Sequence, residues 1–361
     1  MMTLNIAQQR LHQQQLTQHV SETPQALVEW FGAVQAQEFA AAKWALGLRL
    51  PEVTDNDLEQ AFADGTILRT HVMRPTWHLV SPADIGWLLT LTAPRVRASN
   101  APYDRRLALD EAAFKQTNAV LATALQGGKQ LTRDELASTL EQAGIAAASG
   151  LRLIHIMMRA ELDGVICSGA RRGKQFTYAL LSERAPHARS FSREEALAEL
   201  ILRYFRSHGP ATVQDCVWWS GLTGVDVRTG LALAASHLQH ETIGDQTYWF
   251  VAASAPQAHA QTAYLLPNYD EYTVGYTDRR AIFDATHTHK LDPRSGLLGS
   301  MMVLDGQVIG TWKRTFKKNS VIIEANPFIS LSDTETGAFA ASANRYGQFL
   351  QLSVDSPWQA A

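Results

Sequence analysis

Cysteine is scarce in this chain. Cys167 and Cys216 stand alone among 361 residues, without a CxxC pair. That argues against a disulfide framework, an iron–sulfur cluster or a thiolate zinc site. Long apolar runs are missing as well, and nothing approaches the roughly 20 residues that span a bilayer. Met1 to Gln15 is glutamine-rich and has no apolar segment of the signal-peptide kind. The expectation is a cytoplasmic protein with no membrane partner. Also lacking is an excess of positive charge: 32 Lys and Arg face 35 Asp and Glu, for a net charge of -3. Dedicated nucleic-acid binders are usually more basic. Any phosphate contact must then come from cations gathered on one face, since such attraction is screened within roughly 10 Å. The remainder, 46% hydrophobic and 19% charged, fits a globular protein. The length suits roughly two to four compact units.

What is present is a repeated helix–helix–strand–strand pattern, clearest in the middle of the chain. Thr132 with Glu135 forms a capping box, and the helix it opens runs to about Ala143 before Gly144. A second helix is predicted from Ser149 to Leu162, with Leu153, Ile156, Met157 and Ala160 on one stripe. Strands follow at 165–168 and 175–180, joined by a turn carrying Arg171 and Arg172, with Lys174 just beyond. This reads as a winged helix-turn-helix with a basic wing. A further copy starts at the Ser192/Glu195 box. It continues through a short helix capped by Thr212, a helix at 225–237, and wing strands at 241–243 and 247–251. An earlier, looser copy has Thr23 capping a helix with Pro24 at its first position, and helices at 39–48 and from Thr54. Its strands, 67–73 and 76–80, flank Arg74-Pro75.

Beyond Gln261 the pattern changes. Short strands are predicted at 263–267, 301–304, 308–312 and 321–324, with Asp305-Gly306 as a hairpin turn and a last helix at 334–349. The expected fold is α+β: three tandem winged helix-turn-helix units followed by a small β-barrel-like domain with a C-terminal helix. Its expected units are 1–100, 101–190, 191–260 and 261–361.

In front of the first hairpin lies Val34-Gln35-Ala36-Gln37. A Gln-x-Gln triplet means nothing alone. Combined with the stretch Leu68 to Val80, Leu265-Leu266-Pro267-Asn268-Tyr269-Asp270-Glu271-Tyr272, Gly275-Tyr276-Thr277-Asp278-Arg279, and Val308-Ile309-Gly310-Thr311-Trp312-Lys313-Arg314, it resembles the winged-helix DNA glycosylases of the AlkZ/YcaQ type over nearly the whole chain. No single piece is specific; the combination in this order is. The resemblance implies three winged helices and a β-barrel around a concave DNA-binding surface. It implies removal of alkylated bases, including unhooking of interstrand crosslinks. It also implies Gln35 and Gln37 as catalytic residues, since this chain resembles the Gln-x-Gln branch of the family. Double-stranded DNA is then the partner, nucleoid-associated cytoplasm the location, and a monomer sufficient.

The chemistry is compatible with amides. A purine alkylated at N7 or N3 is cationic and its glycosidic bond is already weakened. The transition state should be oxocarbenium-like, by analogy with glycoside hydrolysis. Gln35 and Gln37 could orient water, sugar or phosphate, because an amide both accepts and donates hydrogen bonds. Neither can be a true general base. Selectivity for destabilised, charged lesions follows, with no cofactor. The bland alternative is a polar patch or helix-linker cap, since glutamine is common here; Gln8, Gln9, Gln13, Gln14 and Gln15 suggest no role. Glu38 is the neighbouring titratable group. As the start of a helix it would favour the dipole, its more ordinary role.

Arg69, His71, Arg74 and His78 sit on the first hairpin, where alternation sends some to DNA and some to the core. Arg171, Arg172 and Lys174 read as phosphate clamps or, equally, as a solvated turn. Lys313, Arg314, Lys317 and Lys318 suggest a hairpin meeting the DNA backbone or minor groove, against a solvated strand face. Tyr269 to Tyr272 reads as a structural turn. His287 and His289 have HxH spacing without an evident third ligand, so no metal is expected. No lysine stands beside the glutamines to act as an amine nucleophile, so hydrolysis alone is expected. The competing readings are a winged-helix transcription regulator without chemistry and, more remotely, a protein-binding scaffold.

Overall fold

Capping boxes delimit the helices of this computed structural model, which describes residues 4–146, 150–252 and 262–358. Thr132/Glu135 opens Arg133–Gln142, Ser192/Glu195 opens Arg193–Ser207, and Ser332/Glu335 opens Asp333–Leu350. Thr54/Asp57, Thr212/Asp215 and Thr223/Asp226 do the same for three further helices. Ser149 and Gln261, boundaries expected from the sequence, lie outside the described residues.

Helices alternate with small antiparallel sheets, an α+β arrangement. The first sheet has Trp77–Val80 between Leu68–His71 and Val34–Gln35. The last of these strands is unannounced by the sequence, because two residues carry no period. The next sheet has Thr177–Leu180 between Leu131–Thr132 and Ile166–Ser168, and the third is the hairpin Gln239–Ile243/Gln246–Phe250. The C-terminal sheet is five-stranded, in the order Ser353–Asp355, Ser320–Pro327, Gln307–Phe316, Met301–Leu304, Ala263–Leu266. Its pairs are antiparallel except the parallel edge strand Ser353–Asp355. Asp305 and Gly306, at φ 47° and 86°, make the tight turn expected there.

Two long helices, Ile85–Arg106 and Glu111–Leu125, link the first and second sheets. The former continues through Pro94 and Pro102, neither of which can donate a helical backbone bond. It buries Ile85, Trp87, Leu88 and Leu91, so packing outweighs the lost backbone bonds.

One hydrophobic core joins the N-terminal helices to the C-terminal sheet. Phe39–Gly47 is buried on nearly every side. Trp44 packs on Tyr346 and Phe349, with ring centroids 4.8 and 5.1 Å apart, and its Nε1–H donates to the Leu265 carbonyl at 2.8 Å. At Gly47 a β-carbon would lie 2.6 Å from the Phe349 ring, so close approach requires glycine there. The segment following the two glutamines is thereby fixed to the C-terminal helix.

Gln13, Gln14 and Gln15, which suggest no role in the sequence, are buried. Gln14 accepts from Arg49 Nη2 at 2.9 Å and donates to the Tyr276 hydroxyl at 2.9 Å. Gln15 Oε1 accepts the amides of Val20 and Ser21. They satisfy interior polar groups, which single-sequence reading cannot detect.

Candidate active site

Val34 and Gln35 pair with Leu79 and His78, and the Ala36 N–H donates to the Trp77 carbonyl at 2.7 Å. Ala36 is fully buried in the core, Gln35 ends the strand, and Gln37 lies just beyond it in a bend. Gln35 is 7% exposed, whereas Gln37 and Glu38 are open to solvent. Gln35 Oε1 accepts from Arg74 Nη2 at 3.2 Å, and Gln37 Oε1 faces the Trp77 N–H at 3.5 Å. Gln35 is thus the floor of the motif and Gln37 its open edge.

Beneath the floor lies Glu271. Its Oε1 accepts the Gln35 N–H at 2.8 Å, and its Oε2 accepts from Trp219 Nε1 at 3.0 Å and His208 Nε2 at 3.1 Å. Burial raises the affinity of this carboxyl for a proton, but the His208 bond and the Gln35 amide outweigh it and hold the group below the usual carboxylate range. Burial lowers His208, against the opposing pull of its bond to Glu271. The Asp-Glu pair of this turn is divided between two tasks. Asp270 forms a two-pronged bond with Arg49, at 2.9 Å on each arm, while Glu271 holds Gln35.

His78 lies directly across the strand pair from Gln35, hence on its face. Burial, then the Arg74 charge, push it down to about 3. Its Nδ1 bonds the Thr76 carbonyl at 2.9 Å, and its Nε2 has no hydrogen-bond partner among the described residues. Arg74 follows Met73, whose φ is 63°. Gly221 of the third helical group abuts this kink: a β-carbon there would lie 2.3 Å from the Met73 carbonyl. The Arg74 guanidinium is 5.7 Å from the ring of Trp218, an indole that remains 42% exposed.

On the opposite rim, Asn268 Nδ2 donates to Glu38 Oε1 at 3.0 Å, and Asn268 Oδ1 accepts from Ser300 at 2.7 Å. Glu38 occupies the N-cap of Phe39–Gly47, but its side chain makes no capping bond and turns to Asn268 instead. Asn268 also lines a cavity of about 840 Å³ that contains Trp312, Lys313 and Arg314, with Asp292 and Glu324 as counter-charges. Lys317 and Lys318 are exposed at the far end of the same hairpin.

The other hairpin cations lie deeper. Arg69 is 7% exposed, donates from Nε to the Ala36 carbonyl at 3.1 Å, and is sandwiched between Trp77 and Phe176 at 4.2 and 4.5 Å. Burial pulls it down to about 10. His71 is buried against Glu161. Short hairpins packed on two neighbours bury both faces, so alternation could not sort these residues. Arg69 holds the motif's backbone, and His71 ties the hairpin to the helix Gly150–Leu162. Arg171 pairs with Glu59 at 3.0 Å and Arg172 with Glu135 at 2.7 Å, while Lys174 is exposed. His287 and His289 lie on the short helix Ala285–Lys290, and no metal-holding group of His, Cys, Asp or Glu occurs among the described residues. Burial raises both thiols, Cys167 to about 12 and Cys216 well above the usual range, which leaves them inert.

The family model described as "DNA glycosylase AlkZ-like" matches residues 28–349. The chain belongs to this AlkZ-like DNA glycosylase family. It is 24% identical over 330 residues to the interstrand DNA cross-link repair glycosylase of Streptomyces sahachiroi, covering 84% of this chain and 85% of that protein. The solved structure of Streptomyces sahachiroi DNA glycosylase AlkZ superposes with a TM-score of 0.79 at 20% identity, covering 98% of each chain. Sequence reasoning missed Glu271 as the partner of Gln35, Asn268 as the partner of Glu38 and Trp218 as the ring beside Arg74. The first two fall inside the 265–272 stretch that carries the resemblance, and only tertiary contact gives them their place. No helix among the described residues is long and apolar enough to cross a membrane.

Proposed function

We propose that the protein is a monofunctional DNA glycosylase that hydrolyses the N-glycosidic bond of purines made cationic by alkylation at N7 or N3, crosslinked bases included, in duplex DNA. The observation that carries this reading is an exposed Gln37 beside a fixed Gln35, in a chain of the AlkZ-like family. In the reaction, the C1′–N bond breaks and its electron pair neutralises the cationic base. A water oxygen bonds to C1′ and its proton passes to solvent. Little acid help is needed, because the leaving group is already activated. The enzyme's task is to hold water and sugar in line, which suits amides that accept and donate without titrating. Gln37 supplies the reachable amide. Gln35, anchored by Arg74 and Glu271, sets its register.

The helix groups with their small sheets are read as three winged helices, dividing the chain at about 1–100, 101–190 and 191–260. The C-terminal sheet and its helix complete the array as a monomer. Lys313, Arg314, Lys317, Lys318, Lys174 and Arg172 are the assigned backbone contacts, and no cofactor or metal is assigned. Incubation with duplex DNA carrying N7-methylguanine, followed by alkaline cleavage, tests the proposal. Strand breaks at the lesion are expected. Intact strands across several N7- and N3-alkyl lesions would sink it, and protection of one fixed unmodified sequence would favour a regulator instead.

A further inference from the structure

The glutamines are neutral, yet the bond they serve develops positive charge on the sugar while the base is still cationic. The charges that touch the motif belong to Arg69, on the Ala36 carbonyl at 3.1 Å, Arg74, on Gln35 Oε1 at 3.2 Å, and Glu271, on the Gln35 N–H at 2.8 Å. The two arginines, uncompensated, would make the site positive, repelling the lesion and the developing sugar cation. Glu271 is 1% exposed, so its field is poorly screened by solvent. Keeping a carboxylate there requires compensation, and three N–H donors from separate segments provide it: Gln35, His208 and Trp219. A purely structural contact to one backbone amide could be made by a neutral carbonyl. Here a full charge is buried in its place.

We infer that Glu271 is a positioning residue that acts through Gln35, fixing its backbone and offsetting Arg74 so that the site favours positive charge at the scissile sugar. This rests on the glycosylase reading. It adds an electrostatic element contributed by the C-terminal half of the chain to a motif near the start. Preorganised charge of this kind favours the transition state over the ground state.

The test compares binding to two duplexes, one with a cationic 1-azaribose at the abasic position and one with neutral tetrahydrofuran. Wild type should prefer the cation by about tenfold or more, as expected of a preorganised charge. Glu271→Gln should bring that preference to within about threefold. It should also slow single-turnover excision of N7-methylguanine by about a hundredfold while leaving tetrahydrofuran affinity nearly unchanged. Glu271→Asp, which keeps the charge on a shorter arm, should retain the preference and recover part of the rate. A merely structural role would lower affinity for both duplexes equally and leave the preference intact, which would overturn the inference.

If Glu271→Gln does not fold, Trp219→Phe serves. It removes one donor and leaves the carboxylate facing His208, Arg74, His78 and Tyr276. The carboxylate should then protonate more readily, shifting the acid loss of excision to higher pH; an unmoved profile would count against the inference. A wild type that excises normally with unaltered variants refutes only this point. A wild type that excises nothing refutes the glycosylase reading itself.

Discussion

The backbone N–H of Gln35 meets the carboxylate of Glu271 at 2.8 Å, across 236 residues of chain. The two-residue strand bearing the motif is short of its own hydrogen bonds, and a turn from the C-terminal half completes them. The catalytic candidates therefore depend on the whole chain having folded, and damage to either end should register at the other.

Gln37 is exposed and makes only a 3.5 Å contact with the Trp77 amide. Gln37→Ala should leave the thermal midpoint unchanged and weaken DNA binding by less than about threefold, while slowing excision about a hundredfold or more. Single-turnover rates and titrated affinities separate the two effects. Glu38→Gln should be nearly neutral for rate. A wild-type rate that climbs with pH and becomes flat in Glu38→Gln would instead transfer the role of base to Glu38.

Trp218 offers an open indole 5.7 Å from the Arg74 guanidinium. Stacking on a base or bulky adduct is the use such a face permits. Trp218→Ala should cost about 1–3 kcal/mol in affinity for lesion-bearing DNA. Affinity for undamaged duplex should change much less. Equal losses on both would mean that the ring only packs.

His78 is held neutral, with its folded value near 3 against an ordinary 6.5. The unfolded chain takes up a proton first as pH falls, so the stability from a neutral His78 is complete above about 6.5 and drains away towards 3. The magnitude is on the order of a few kcal/mol. The thermal midpoint should fall across that window, and His78→Gln should flatten the fall. An unchanged acid slope in the variant would remove His78 from the account.

Lys313, Lys317 and Lys318 are exposed on the C-terminal hairpin, while Arg172 is already paired with Glu135. Replacing each lysine with Gln should weaken DNA binding irrespective of sequence and reduce the salt dependence by about one unit of slope per lost phosphate contact. Arg172→Gln should change the slope less. An identical slope in all variants would place DNA elsewhere.

Much of the fold was legible in local signals. Thr132, Glu135, Ser192 and Glu195 announce helix starts through side-chain bonds only three residues long, and Asp305-Gly306 announces its turn through backbone preference. Of the hairpin cations, Arg69 and His71 looked available for DNA because alternation assumes one free face. Arg69 and His71, two residues apart, share one face, and Phe176 and Glu161 cover it.

By itself the sequence determined where helices and turns begin and that Gln35 and Gln37 flank a small apolar residue. Those are short-range properties, set by neighbouring atoms and backbone alternation. Only the tertiary structure decided that Glu271 and Arg74 hold Gln35, that Asn268 holds the neighbouring Glu38, and that Gln37, not Gln35, is the open one. Such choices depend on contacts between distant segments, where the cost of burying a charge is met by donors that no local spacing reveals.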